Sequence, residues 1–206
     1  LRESISFDNA KILLVEDNDM NRLVASYILK GFDVKVTEAE NGLRALAHLK
    51  KEKFDVILMD IQMPMMNGLD ATKIIRNKLK IDTPIIALSA NAFKSELDKC
   101  LEVGMNDYIT KPFEEHELIR VMAKYCKNTV TDNKNVQHTI TTSKTEPALY
   151  DISKLQEMSC GNDAFVVKML ELFTDRFPTY LEEFEVFLKE NDVDGINKLA
   201  HKIKPS

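Results

Sequence analysis

Between residues 11 and 126 the sequence alternates five short apolar runs with five longer amphipathic stretches, and this alternation leaves few folds open. The runs are Lys11–Val15, Val34–Val36, Phe54–Met59, Pro84–Leu88 and Asp107–Ile109. Short runs rich in Val and Ile and bounded by turn-forming residues read as strands. The first, third and fourth are apolar almost throughout, as strands buried on both faces are. Helical patterns occupy the gaps near 19–30, 42–50, 68–79 and 92–103, and a fifth lies near 114–126. Five strand–helix repeats imply an α/β fold in which a five-stranded parallel, doubly wound sheet carries helices on both faces. Residues 1–10 stand before it as an N-terminal extension.

From Lys127 to Ala148 the periodicity stops. The stretch contains six Thr and no Leu, Phe or Gly. Too little apolar surface is present to offset the entropy of ordering it, so 127–148 reads as a flexible linker. Residues 149–206 are helical in pattern throughout. Asp151 suits the start of a short helix, and Asn162 or Asp163 the start of a long one reaching about Lys189, with a kink expected at Pro178. Asp192 or Asp194 suits the start of a third near Gly195. This all-α segment reads as part of a helical bundle.

With 206 residues, 44% hydrophobic and 30% charged, the chain can bury one full domain and a smaller one. No apolar run approaches the roughly 18–20 residues that cross a bilayer. A net charge of −5 argues against nucleic acid as a partner, because duplex binding needs clustered Lys and Arg. Cys100, Cys126 and Cys160 are odd in number and lack metal-ligand spacing, which fits a reducing, cytoplasmic setting. The first residue is Leu1 rather than Met, so the chain is expected to be a fragment of a longer polypeptide.

Polar groups stand where the strands end. Glu16 and Asp17 follow the first run, Asp60 follows the third, Ser89 follows the fourth, and Lys111 lies just past the fifth. In an open α/β sheet, ligands bind outside the carboxyl ends of the strands, at the point where strand order reverses. Magnesium takes hard oxygen ligands and offsets the mutual repulsion of clustered carboxylates. One carboxylate can then act as a nucleophile, while a hydroxyl and an ammonium hold the oxygens of a phosphoryl group. Singly, each residue reads as an ordinary cap, turn or loop residue; their joint placement on successive strand ends is what carries the signal.

The stretches around Glu16–Asp17–Asn18, Asp60 to Gly68, Ser89 and Asp107 to Phe113 resemble a response-regulator receiver domain, over about 120 residues. The resemblance implies a flavodoxin-like receiver at 11–126 with Asp60 as phosphoacceptor. Mg2+ would be bound by Glu16, Asp17, Asp60 and the backbone carbonyl of Gln62. Ser89 would be the switch hydroxyl, Tyr108 the switch aromatic and Lys111 the phosphate-binding lysine, preceding a cis bond to Pro112. The Val15–Arg22 and Ile85–Phe93 stretches are similar to receivers fused to hybrid histidine kinases. The first acidic position is Glu16, where Asp is commoner in the family.

On the last helical pattern Ile196, Leu199, Ala200 and Ile203 form one apolar stripe, and His201 falls nearly opposite it, between Lys198 and Lys204. Spacing alone makes His201 an ordinary surface residue. The Leu199–Ser206 stretch, however, resembles the phosphohistidine motif of histidine phosphotransfer domains, which are four-helix bundles. It implies that His201 is the phosphorylated residue, that Lys204 stabilises its phosphate, and that 149–206 is the N-terminal part of such a domain. The apolar stripes of so few helices are not expected to be fully covered.

These readings imply a phosphoacceptor and phosphotransfer module of a two-component phosphorelay, forming the C-terminal part of a hybrid sensor kinase whose catalytic core is outside this chain. The implied partners are a kinase dimerisation domain carrying phosphohistidine and a downstream receiver or phosphotransfer protein. Membrane contact would come only through a sensor region outside this chain, which would leave the module as a cytoplasmic tail. Two rivals are a non-catalytic receiver scaffold and a magnesium-dependent phosphatase with a strand-end Asp nucleophile. The second needs a general acid two residues beyond the nucleophile, where this chain has Gln62.

Overall fold

The computed structural model describes residues 4–90, 94–111, 115–126, 129–131 and 163–203. They fall into two compact units, divided near residue 133. The first contains strands β1 (Ser4–Ser6), β2 (Lys11–Val15), β3 (Lys35–Ala39), β4 (Val56–Asp60), β5 (Ile85–Ser89), β6 (Asp107–Thr110) and β7 (Thr129–Thr131). Its helices are α1 (Asp19–Lys30), α2 (Gly42–Leu49), α3 (Gly68–Asn77), α4 (Lys94–Glu102) and α5 (Glu115–Tyr125).

The main sheet runs β3-β2-β4-β5-β6, every neighbouring pair parallel. β4 and β5 are buried at every residue and β2 at all but Lys11. Successive side chains of a strand point to opposite faces, so the two faces carry separate cores. Ile12, Leu14, Leu58, Ile86 and Leu88 meet Leu29, Leu118 and Met122 from α1 and α5. Leu13, Val15, Ile57, Met59, Ile85 and Ala87 meet Leu46, Ile75 and Cys100 from α2, α3 and α4. Three asparagines start three of these helices: Asn18, Asn41 and Asn67 each accept backbone amides of the first turn through the side-chain oxygen.

The five-stranded doubly wound architecture matches the expectation, with shifted limits. The expected strand at Val34–Val36 extends instead from Lys35 to Ala39, and Phe54 is buried but lies before β4. Two short strands are added. β1 pairs antiparallel with β7, matching Ser4 with Thr131 and Ser6 with Thr129, so an extended pairing reaches into both the N-terminal extension and the stretch read as linker. Just after β1, Phe7 is 1% exposed and its ring packs on Phe32 at 6.3 Å between centroids.

The second unit contains α6 (Asp163–Glu190) and α7 (Val193–Ile203). α6 continues as helix through Pro178. Asn191 takes a left-handed φ of 54° and ends α6, and Asp192 Oδ1 accepts the Gly195 amide at 2.9 Å to open α7. A Cβ at Gly195 would stand 2.6 Å from the Phe187 ring, so the two helices touch there without room for a side chain. Leu199 is buried and Ile196 and Ile203 are half-buried, but Ala200 is exposed, so the inner stripe of α7 is narrower than expected. Phe173, Phe177, Leu181, Phe184 and Leu188 are all exposed on α6. Among the described residues no helix is long and apolar enough to cross a membrane. Asp151, Asn162 and the Thr-rich stretch beyond Thr131 lie outside the described residues.

Candidate functional site

Strand order reverses between β2 and β4, because β3 lies on the far side of β2. Two strand ends therefore meet at the crevice with no helix covering it. The register pairs Val15 with Met59, which places Glu16, next along β2, beside Asp60, the last residue of β4. β5 adds Ser89 opposite Thr110 of β6, and Lys111 follows directly.

The side chains converge as the topology requires. One carboxylate oxygen from each of Glu16, Asp17 and Asp60 lies within 4.8 Å of the others. Lys111 reaches into this group with its Nζ 2.5 Å from Glu16 Oε2 and 2.9 Å from Asp60 Oδ2. Its side chain is only 5% exposed, and its backbone amide donates to the Ser89 carbonyl at 2.7 Å. Asp60 Oδ1 accepts the Gln62 amide at 3.1 Å. Glu16 Oε1 accepts from the Asn18 amide and from Asn21 Nδ2, each at 3.3 Å. Arg22 donates to the Glu16 carbonyl at 2.7 Å and also bonds Asp19.

With all three carboxylates ionised, one ammonium leaves the cluster two negative charges in excess. The protonation equilibria register that excess. Burial first, then the charge of Asp60, raises Glu16 to about 7 against the attraction of Lys111. Burial and Asp60 likewise raise Asp17. For Lys111, burial acts to lower the pKa, but the Glu16 and Asp60 carboxylates outweigh it and hold the ammonium above its usual value. A divalent cation with a preference for hard oxygen fits such a donor set in both charge and chemistry.

The fold also explains the close fit around Asp60. α3 begins at Gly68, whose amide donates to the Ile61 carbonyl at 3.0 Å. A Cβ on Gly68 would stand 2.2 Å from the Asp60 carbonyl oxygen. Only glycine lets α3 start this close to the strand that presents Asp60.

Of the residues expected at the site, the structure brings together Glu16, Asp17, Asp60 and Lys111. Ser89 is fully buried at the end of β5, Tyr108 on β6 is 40% exposed, and Gln62 turns its amide toward Asp60 while its side chain is exposed. His201 lies within α7, but its side chain, Lys204 and Pro112 fall outside the described residues. Asn21, Arg22 and Gly68 were not expected here. Asn18 carried a usable signal, a cap residue directly before a helical pattern, whereas the roles of the other three depend on how α1 and α3 turn back toward the strand ends that precede them.

Comparison with known proteins agrees with this geometry. The family described as "Response regulator receiver domain" matches residues 12–123. The sensor protein GacS of Pseudomonas syringae pv. syringae is 28% identical over 201 residues, covering 94% of this chain and 22% of that protein. The aerobic respiration control sensor protein ArcB of Escherichia coli is 32% identical over 196 residues, covering 94% of this chain and 25% of that protein. The chain thus spans about a quarter of the length of these relatives. Among solved structures, the receiver domain of a sensor histidine kinase from Pseudomonas aeruginosa PAO1 superposes with a TM-score of 0.53 and 39% identity, covering 57% of this chain and 97% of that one. That structure has a magnesium ion coordinated in its active-site cleft. With strand order, the strand-end carboxylates and the family match in agreement over more than half its length, the chain belongs to the response regulator receiver domain family.

Proposed function

We propose that Asp60 accepts a phosphoryl group from the phosphohistidine of a histidine kinase, within a chain that forms part of a hybrid sensor kinase on the cytoplasmic side. The observation that carries this reading is the buried Lys111 ammonium bridging Glu16 and Asp60 at the switch point of the sheet, with Asp17 beside them. Asp60 attacks phosphorus through a carboxylate oxygen. The O–P bond forms as the P–N bond of the donor breaks, and its electron pair stays on the imidazole, which leaves neutral after taking a proton from solvent.

Lys111 then exchanges its contact with the Asp60 carboxylate for one with the phosphoryl oxygens, so that their charge is met by a positioned ammonium. The Gln62 amide fixes one Asp60 oxygen and orients the other. Glu16, Asp17, Asp60 and the Gln62 carbonyl would hold Mg2+, which supplies positive charge against the phosphoryl oxygens. Ser89 and Tyr108 form the switch that reads the modified state, shifting the population of the β5–α4 and β6–α5 surface. His201 is the candidate second station, with Lys204 to stabilise its phosphate as the motif implies, in a partial histidine phosphotransfer segment that hands the group to a downstream receiver or phosphotransfer protein. Nothing at the site favours the phosphatase or the scaffold: Gln62 offers no general acid, and the acidic cluster and lysine are complete.

Incubation with radiolabelled acetyl phosphate and Mg2+ tests the assignment. The chain is expected to gain an acyl phosphate that base removes, and Asp60→Asn to remain unlabelled. Equal labelling of Asp60→Asn would overturn it.

A further inference from the structure

Glu16 is 1% exposed, and its side chain has one more rotatable bond to fix than an aspartate would have. Different kinds of group hold its two carboxylate oxygens. Oε2 faces the Lys111 ammonium, a charge that any cation entering the cluster would repel. Oε1 faces two neutral donors, the Asn18 amide and Asn21 Nδ2, each at 3.3 Å. Asn21 is itself only 7% exposed and stands in the first turn of α1, where its backbone amide donates to the Asn18 cap at 3.2 Å. The loop from Glu16 to Asn18, which carries Asp17, is thus closed by a side chain that returns to it from the helix. Arg22, next on α1, holds the same loop through the Glu16 carbonyl at 2.7 Å.

We propose that Asn21 is a positioning residue of the metal site: its side-chain amide keeps the Glu16 carboxylate in place when the Lys111 contact is given up, and so raises the affinity of the cluster for a divalent cation. The inference rests on the phosphoacceptor reading of this site. In that reading Lys111 turns to the phosphoryl oxygens, and like charge opposes it whenever a cation is bound, so it cannot anchor Glu16 throughout. The Asn18 amide lies two residues from Glu16 and moves with the loop it belongs to. Asn21 is the donor that is both uncharged and built into a helix, so its hold on Oε1 outlasts both events. A ligand ordered before the cation arrives need not be ordered at its expense. Groups that hydrogen-bond a metal ligand typically contribute about 10–100-fold in metal affinity. A neutral donor at 3.3 Å makes a long bond and belongs at the lower end of that range.

The test is Mg2+ binding to the full chain, followed by calorimetry with no phosphodonor present. Asn21→Ala keeps a strong helix former in the first turn, and Asn21→Ser keeps a polar group whose hydroxyl ends one bond short of Glu16. Both variants are expected to bind Mg2+ about tenfold more weakly than the parent. Ser26→Ala is the control on the same helix: Ser26 is also buried, and its hydroxyl donates to Glu38 at 2.8 Å rather than to Glu16. It should bind Mg2+ as the parent does. With acetyl phosphate, the Asn21 variants should need about tenfold more Mg2+ for half-maximal labelling yet reach the parent rate at saturating Mg2+, because Asn21 touches none of the reacting atoms. Parent Mg2+ affinity in the Asn21 variants would overturn the inference, as would an equal loss in Ser26→Ala or a labelling rate that stays low at saturation. If affinity is unchanged while Asp60→Asn remains unlabelled, the positioning role fails and the phosphoacceptor reading stands; labelling of Asp60→Asn would sink that reading instead.

Discussion

Replacing Gly68 by Ala tests how closely the start of α3 is fitted to the phosphoacceptor strand. The added Cβ would stand 2.2 Å from the Asp60 carbonyl oxygen and 3.0 Å from both the Asp60 carbonyl carbon and Met59 Cγ. Met59 can rotate away; the Asp60 carbonyl cannot, because β4 is paired on one side with β2 and on the other with β5. Restoring an ordinary contact of about 3.2 Å requires the helix start and the strand to separate by about 1 Å. Overpacking of this kind costs about 1–3 kcal/mol, and the helix preference of Ala over Gly returns at most about 1 kcal/mol. The expected result is a lower urea midpoint, by about 1–2 kcal/mol in stability. Displacing Asp60 relative to Lys111 and Gln62 should also slow acetyl phosphate labelling about a hundredfold without abolishing it. Gly31→Ala is the control: its φ is −66°, and the nearest contact of an added Cβ is the Ile28 carbonyl at 3.2 Å. That variant should stay within about 0.5 kcal/mol of the parent. Parent stability and parent labelling rate in Gly68→Ala would refute the reasoning.

Two further perturbations probe the charge balance. Glu16 titrates at about 7 in the folded protein and 4.5 as a free side chain, a raised folded value. Its contribution to stability is therefore full below about 4.5 and lost as pH rises through about 7. Without metal, the urea midpoint of the parent should fall between pH 5 and pH 8 relative to Glu16→Gln, and saturating Mg2+ should close the gap; a gap independent of pH would contradict this. Lys111→Met strands the Glu16 and Asp60 carboxylates without their cation and should cost about 3 kcal/mol at pH 8 in the metal-free protein. The loss should shrink at pH 5, where Glu16 is protonated. Lys111's own raised pKa keeps it charged at both values, so the difference between them comes from Glu16, and an unchanged denaturation midpoint at pH 8 would count against the buried bridge.

The sheet was legible because buried parallel strands write themselves as apolar runs: β2, β4 and β5 lie within a residue or two of their expected limits. β3 was harder. It is an edge strand, half-exposed, and its Thr37 and Glu38 carry no apolar signature. β1 and β7 are three residues each, and each finds its partner more than 120 residues away, so no local pattern could announce them. At the site, Glu16, Asp17, Asp60 and Lys111 were readable because each ends or follows a strand, where chemistry concentrates in this architecture. Asn21 and Gly68 were not. Asn21 matters because α1 folds back to bring its amide to Glu16, and Gly68 because α3 begins against the Asp60 carbonyl. Ala200 shows the converse error: a stripe drawn at ideal helical spacing includes a residue that is exposed among the described residues.

The most direct test of Asp60 as the phosphoryl carrier is chemical mapping of the labelled residue. After reaction with acetyl phosphate and Mg2+, borohydride reduces an aspartyl phosphate to homoserine, which peptide mass spectrometry locates. Conversion is expected at position 60 and depends on the phosphodonor. Conversion at Asp17 in its place, or a phosphoryl group that survives reduction on the Ser89 hydroxyl, would contradict it.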